Sequence, residues 1–323
     1  MRAIEVAEYG GSDALEVVDR EPPTPDADEL RVDVTAAGVN FADVEQRRGN
    51  YPGGPRPPFV PGLEAAGTVL EAPDESGFAA GDRVTTLTSS GGYAERAVAP
   101  VGATISVPDA LSMREAAAIP VQGLTAHNTL FSWGGLAAGE RVLIHAAAGG
   151  VGSRAVQFAA RAGAEVFATA STGAKRDLAR ELGADHAIDY TDEDVAGVID
   201  DLTDGAGVDL VLDGVGGDAF AASLEALAPA GRIVSFGMAG GSVPTVATPR
   251  LFFQNQSVIG YHLTNALETV PERVQAAVPD VLAALEDGDL EVVVGGTFDV
   301  ENAREAHDAL EGRETVGKVV LEP

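Results

Sequence analysis

The chain has 323 residues, a length for two domains, and 45% of them are apolar, enough for a large core. It carries 50 acidic against 21 basic residues, a formal charge of −29, which argues against nucleic acid and anionic membrane surfaces as partners and looks like a protein from a high-salt cytoplasm. There is no cysteine, which excludes disulfides, thiolate chemistry and cysteine-ligated zinc; no apolar leader or apolar run of about 18 residues is present either, so a cytoplasmic protein without membrane insertion is expected.

Residues 1 to about 122 read as β-rich. Short strands are expected at Arg2–Ala7, Leu15–Asp19, Leu30–Gly38, Gly67–Leu70, Arg83–Thr86 and Gly92–Val98. Pro and Gly punctuate them, most densely from Asn50 to Pro61, and strands this short at this spacing point to a distorted barrel. Residues 123–264 then alternate strand and helix. The strands are expected at Arg141–Ala146, Glu165–Ala170, His186–Tyr190, Asp209–Val215, Arg232–Phe236 and Val258–His262, the number of a complete Rossmann sheet. Leu267–Leu285 has helical spacing. Strands at Thr297–Val300 and Lys318–Leu321, with a helix at Asn302–Glu311 between them, are expected to return to the first domain. The fold class is therefore α/β, with a β-rich domain at 1–122 and 265–323 around a doubly wound parallel sheet at 123–264.

The most informative stretch runs from Arg141 to Arg176. An apolar strand leads into a turn, Ala147–Gly152, and Val151–Ala162 continues as a helix that Gly163 closes. Gly149 and Gly152 lack Cβ atoms, so backbone can approach a pyrophosphate and helix can pack close to strand, while the free N–H groups of the helix start face the phosphates. The match to G-x-G-x-x-G is imperfect, since Ala147 stands at the first glycine position. The next strand ends Ala168-Thr169-Ala170-Ser171, with no acid there to hold ribose hydroxyls; Lys175 and Arg176 follow instead. Lys175 and Lys318 are the chain's only lysines. A lysine at this point can neutralise a 2′-phosphate, so the cofactor expected is NADP(H) rather than NAD(H).

The residues AAGVNFADVEQRRGNYP (36–52), PGLEAAGTV (61–69), AAAIPVQGLTAH (116–127), AAAGGVG (146–152), GADHAIDY (183–190), GRIVSFG (231–237) and GRETVGKVVL (312–321) carry a resemblance to a known family. The chain resembles the quinone oxidoreductase (zeta-crystallin-like) branch of the medium-chain dehydrogenase/reductase superfamily, and the resemblance covers essentially its whole length. It implies a GroES-like catalytic domain from both chain ends, a central Rossmann domain, NADPH, a homodimer joined through the Rossmann sheet edge, and no metal. Zinc-dependent relatives place Cys in the stretch held here by Gly38-Val39-Asn40, and a His-Glu pair where this chain has Leu63-Glu64.

The resemblance also implies site residues. Asn40, Phe41 and Asp43 match an element beside the nicotinamide, and Tyr51 a tyrosine of the substrate cleft. Thr125 and Asn128 match the helix that covers the cofactor; Gly149, Gly150, Val151 and Gly152 the pyrophosphate turn. Ser171, Lys175 and Tyr190 match the 2′-phosphate and adenosine pocket, Phe236 and Gly237 the loop after the fifth strand, and Arg313 a C-terminal basic contact. Glu45 departs from the pattern, standing where some quinone reductases carry a second tyrosine. The catalytic candidates are Asn40, to hold an acceptor carbonyl or the nicotinamide ribose, Tyr51, as proton or hydrogen-bond donor, and Asp43, as an orienting or capping residue rather than an acid. The five histidines form no ligand cluster and are read as structural or surface groups. The expected activity is metal-free hydride transfer from NADPH to a quinone. The rivals are an enone or enoyl-thioester reductase of the same fold and a non-catalytic crystallin-like or RNA-binding role, the charge opposing RNA.

Overall fold

The structure, a computed structural model, describes residues 1–88 and 91–323. Its first strands are β1 (Arg2–Val6), β2 (Leu15–Asp19), β3 (Glu29–Val39), β4 (Glu64–Glu71), β5 (Arg83–Leu87), β6 (Arg96–Pro100) and β7 (Thr104–Ser106). They are followed by β8 (Arg141–Ile144), β9 (Glu165–Ala170), β10 (His186–Asp189), β11 (Val208–Asp213), β12 (Leu227–Ser235), β13 (Ser257–Gly260), β14 (Val294–Asp299) and β15 (Lys318–Glu322). The α-helices are α1 (Phe41–Arg48), α2 (Met113–Ala116), α3 (Leu124–His127), α4 (Gly150–Arg161), α5 (Gly173–Glu181) and α6 (Val195–Leu202). Then come α7 (Gly217–Ala226), α8 (Thr248–Gln254), α9 (Leu263–Thr269), α10 (Pro271–Gln275), α11 (Val278–Glu286) and α12 (Ala303–Glu311). No helix among the described residues is long and apolar enough to cross a membrane.

Two compact units result, Met1–Val121 with Leu285–Pro323, and Gln122–Ala284. The division differs from the expected one at residues 265–284, which belong to the second unit. The reason lies in their contacts: the Val274 carbonyl accepts from Asn128 Nδ2 at 3.3 Å, and the Arg273 guanidinium stacks on Trp133, 3.9 Å from its ring centroid. The helical stretch expected over Leu267–Leu285 is divided among three helices. Pro271 opens α10 at its first position and Pro279 sits in the first turn of α11, where a missing N–H costs nothing.

In the first unit the expected barrel takes the form of a branched sheet, ordered β14-β15-β3-β4-β5-β7 with β6 also on β3. Its axis, β3, alternates as an amphipathic strand should: Leu30, Val32 and Val34 are buried between exposed Asp33 and Thr35. From Ala36 onward the alternation stops and every residue is buried. There β15 and β4 flank the strand, and a polar cluster lies against it. Gly38 has no Cβ for this reason: one would stand 2.5 Å from the Ala117 carbonyl, Glu64 Oε1 and Lys318 Cε.

The second unit is a parallel sheet, ordered β10-β9-β8-β11-β12-β13. This is the doubly wound order, which reverses between β8 and β11. The strands are fully buried runs such as Val142–Ile144 and Leu210–Leu212, as a covered parallel sheet requires. At the end of β8 the turn passes through Ala146 in the left-handed region (φ 50°), and α4 packs tightly on the turn. A Cβ on Gly152 would meet Ala147 Cα at 2.7 Å and run into the Ala146 carbonyl. Gly152→Ala is accordingly expected to lose roughly 1–3 kcal/mol in a denaturant titration, the ordinary penalty of overpacking.

Candidate functional site

In the first unit, α1 starts at Asn40, whose extended backbone (φ −125°, ψ 152°) turns β3 into the helix. Asp43 Oδ2 accepts from Asn40 N at 2.8 Å, and Asp43 N bonds the Asn40 carbonyl at 3.0 Å. The Asn40 side chain is thus turned elsewhere. Its Nδ2 donates to Glu64 Oε1 (3.0 Å) and the Gly38 carbonyl (3.3 Å), and its Oδ1 accepts from Lys318 Nζ (2.8 Å). Lys318 and Glu64 form an ion pair with both side chains 0% exposed, and Glu64 Oε2 also accepts from Val121 N (2.8 Å). Both amide hydrogens of Asn40 are therefore committed inside the protein. Asn40 is thereby a member of a buried Asn–Glu–Lys cluster.

Asp43 is fully buried as well. Its Oδ1 accepts from Leu63 N (3.2 Å), and Oδ2 from Tyr93 Oη (3.1 Å) in addition to Asn40 N. The chain of contacts continues from Tyr93 Oη to His307 Nε2 (3.2 Å), from His307 Nδ1 to Arg47 (3.2 Å), and on to the ion pairs of Glu311 with Arg47 and Arg48. Arginine only donates, so Nδ1 accepts, Nε2 carries the ring proton, and the hydrogen bonds from Arg47 through His307 and Tyr93 all point towards Asp43. Burial nevertheless raises the Asp43 carboxyl to about 6, against hydrogen bonds and Lys318 that lower it. Burial, then the Arg47 and Arg48 charges, lowers His307 to about 3. Asp43 is thus an orienting and capping group with no face open to a substrate.

These two groups pull stability in opposite directions with pH. Between about 6 and the ordinary 3.8, the folded state holds a proton on Asp43 that the unfolded chain releases, so this group stabilises the fold as pH falls. Between the ordinary 6.5 and about 3, the unfolded chain holds a proton on His307 that the folded state refuses, so this group destabilises the fold as pH falls. The expected result is that His307→Gln loses less stability than the parent between neutral pH and about pH 5, and Asp43→Asn loses more. Urea titrations at the two pH values check it; parallel losses in all three proteins would refute it.

Tyr51 is half-buried just past α1. Burial, then the Asp43 charge, raises its hydroxyl above the usual phenol value, which keeps it a proton-bearing donor. Phe41 is partly buried at the start of α1, and Glu45 is tied to Arg48 at 3.0 Å along the same helix. Arg313 lies exposed after α12 with a left-handed backbone (φ 58°).

In the second unit, the C-terminal edge of the parallel sheet gathers most of the remaining candidates. Gly149 caps α4 with no side-chain hydrogen bond, so the first N–H groups of the helix are left to a ligand. Gly149, Gly150 and Val151 are partly exposed, and Gly152 is buried. At the end of β9, Ser171 is partly exposed and Thr172 Oγ1 caps α5 by accepting from Lys175 N. Arg176 is engaged with Asp189, and Lys175 is the half-buried lysine of the same turn. Tyr190, 41% exposed, follows β10. Phe236 and Gly237 follow β12, where Phe236 N bonds the Asp213 carbonyl (2.9 Å) and Ala239 N the Gly214 carbonyl (3.1 Å). Thr125 and Asn128 are set apart from this edge in exposure. Both are buried, and Asn128 holds the Val274 carbonyl, so its amide nitrogen ties helices together.

The arrangement fits a phosphorylated dinucleotide: an open helix end for a pyrophosphate, no acid at the end of β9, and a lysine beside it. It does not fit zinc. The chain has no cysteine, the Glu64 carboxylate is occupied by Lys318, Asn40 and Val121, and no group of at least three His, Asp or Glu side chains able to hold a metal exists among the described residues. Glu64, Lys318, Tyr93, His307 and Arg47 were not anticipated as members of the site. The signal that reaches furthest is Lys318, one of only two lysines, placed at the start of an apolar strand.

Residues 26–109 match the family described as alcohol dehydrogenase GroES-like domain, and residues 150–297 the family described as zinc-binding dehydrogenase. A quinone oxidoreductase of Pseudomonas aeruginosa is 37% identical over 100% of this chain and 99% of that protein. A phenolphthiocerol/phthiocerol polyketide synthase chain of Mycobacterium tuberculosis is 34% identical over 98% of this chain and 14% of its own length. Among solved structures, a mycobacterial protein complexed with NADPH superposes with TM-score 0.94 at 39% identity, covering 100% of both chains. The Escherichia coli quinone oxidoreductase complexed with NADPH gives 0.93 at 32%, again covering 100% of both.

Proposed function

Because this chain belongs to the medium-chain dehydrogenase/reductase superfamily, in its quinone oxidoreductase branch, we propose that it is an NADPH-dependent oxidoreductase whose acceptor is a quinone. The observation that carries the reading is the open start of α4 with Lys175 beyond an acid-free β9, in a chain alike over its full length to quinone oxidoreductases.

Bound NADPH would supply a hydride equivalent to the acceptor. The protein's part is to grip, orient and protonate. The N–H groups of Gly150 and Val151 hold the pyrophosphate, Lys175 and Ser171 the 2′-phosphate, and Tyr190 and Phe236 line the ends of their strands. Quinone reduction to hydroquinone consumes one hydride and one proton, and the Tyr51 hydroxyl, which burial keeps protonated, is the donor proposed for the oxygen. The Lys318–Glu64 cluster supports the chain around Asn40 and no step runs through a metal. The partly exposed edge strand β13, beside exposed Phe252 and Phe253, supports pairing with a second copy of this chain.

A second reading, an enoyl-thioester reductase, is favoured by the similarity to a polyketide synthase. Rates of NADPH oxidation with a 1,4-quinone and with a 2-enoyl thioester separate the two. The quinone reading expects turnover of the quinone, and it fails if only the thioester is reduced.

A further inference from the structure

Gln122 opens the second unit, in a π-helical stretch, Ile119–Gly123. Its side chain lies directly over Gly150, the first residue of α4: a Cβ on Gly150 would stand 2.5 Å from Gln122 Oε1 and overlap the rest of its amide. Gln122 is only 7% exposed, and its Oε1 is enclosed with no hydrogen-bond partner. Oε1 is an acceptor and gains nothing from a phosphate; the end of the amide nearest Gly150 is Nε2, so its donor end lies against the start of α4. The α4 terminus beneath it likewise has no capping side chain. Gly150 therefore serves Gln122: the missing Cβ is what lets an amide sit on the helix end.

We propose that Gln122 is a further dinucleotide-binding residue whose side-chain amide hydrogen-bonds the cofactor's pyrophosphate at the start of α4. Phosphate oxygens only accept, so the amide presents its NH2 end, adding a side-chain donor to the backbone N–H groups of the turn. The proposal rests on the NADPH reading above. Its chemical class is a diphosphate bridge, separate from the 2′-phosphate that Lys175 faces.

Calorimetry with three probes tests it. Gln122→Leu is expected to weaken NADPH and 2′-phospho-ADP-ribose by roughly ten- to a hundredfold, the range for a hydrogen bond to a charged group, while adenosine 2′-monophosphate, which has no pyrophosphate, binds as before. The melting temperature of the cofactor-free variant is expected to equal or exceed that of the parent, because an unpaired amide has been removed. Unchanged affinity for all three probes, or an equal loss for all three, overturns the proposal, as does a lower cofactor-free melting temperature with affinities intact. Gln122→Met, unbranched and of similar length, carries the same expectations if the leucine variant does not fold. Failure of the unaltered protein to bind NADPH would instead sink the cofactor reading itself.

Discussion

Lys318→Met is expected to lower the free energy of unfolding by roughly 3–5 kcal/mol, the penalty for leaving one member of a buried ion pair without its partner. Glu64 is 0% exposed, and its carboxylate would keep only the Asn40 amide and the Val121 N–H as neutral donors. The double replacement Lys318→Met with Glu64→Gln is expected to recover part of that loss: no charge remains to desolvate, but the single amide oxygen replaces only one of the two oxygens that accept from Asn40 Nδ2 and Val121 N. Urea titrations of the parent, both single variants and the double variant complete the cycle. A loss below about 1 kcal/mol in Lys318→Met would mean that the pair contributes no more than an exposed one. Arginine is not a substitute. Lys318 is fully enclosed against Asn40 and Glu64, so the larger planar fork would have to displace one of them.

Lys175→Ala is expected to raise KM for NADPH at least tenfold while that for NADH changes little, since a charge-assisted hydrogen bond contributes roughly 1.5–3 kcal/mol. Arg176 is engaged with Asp189, and Asp189 in turn accepts from Thr191 N (3.0 Å) and Thr191 Oγ1 (2.6 Å). Added salt is expected to narrow the difference between cofactors in the parent and leave the variant almost unaffected, because screening acts on the charge that only NADPH brings. Equal rises in both Michaelis constants would remove the 2′-phosphate role.

Regular elements were legible where one periodicity governed a stretch. Leu15–Asp19 and Glu165–Ala170 occupy the positions read from their alternation and apolar runs, and the glycine turn announced the strand–helix unit around it. The three-residue β7, Thr104–Ser106, escaped because so short a strand carries no period. The residues from 267 to 285 were legible as helical, but not the division into three helices that the prolines at 271 and 279 accompany. The site divided along the same line. The turn glycines, Ser171 and Lys175 lie within one local motif. The polar cluster is assembled from Asn40, Glu64, Tyr93, His307 and Lys318, and residues 40 and 318 meet only because β15 pairs with β3. Asn40 was legible as a residue of interest, but its partners Glu64 and Lys318 were not, because they are remote in sequence.

The enclosure of Lys318 has a practical corollary for chemical labelling. Of the two lysine side chains, one has a 0% exposed ammonium locked to a carboxylate, so an amine-directed acylating reagent acting on the native fold has Lys175 as its lysine target. A fluorophore introduced this way would mark Lys175 and the α-amino group of Met1 as the two reactive amines, and, on the proposed 2′-phosphate role, saturating the protein with 2′-phosphorylated nucleotide should shield only the first of them from the reagent.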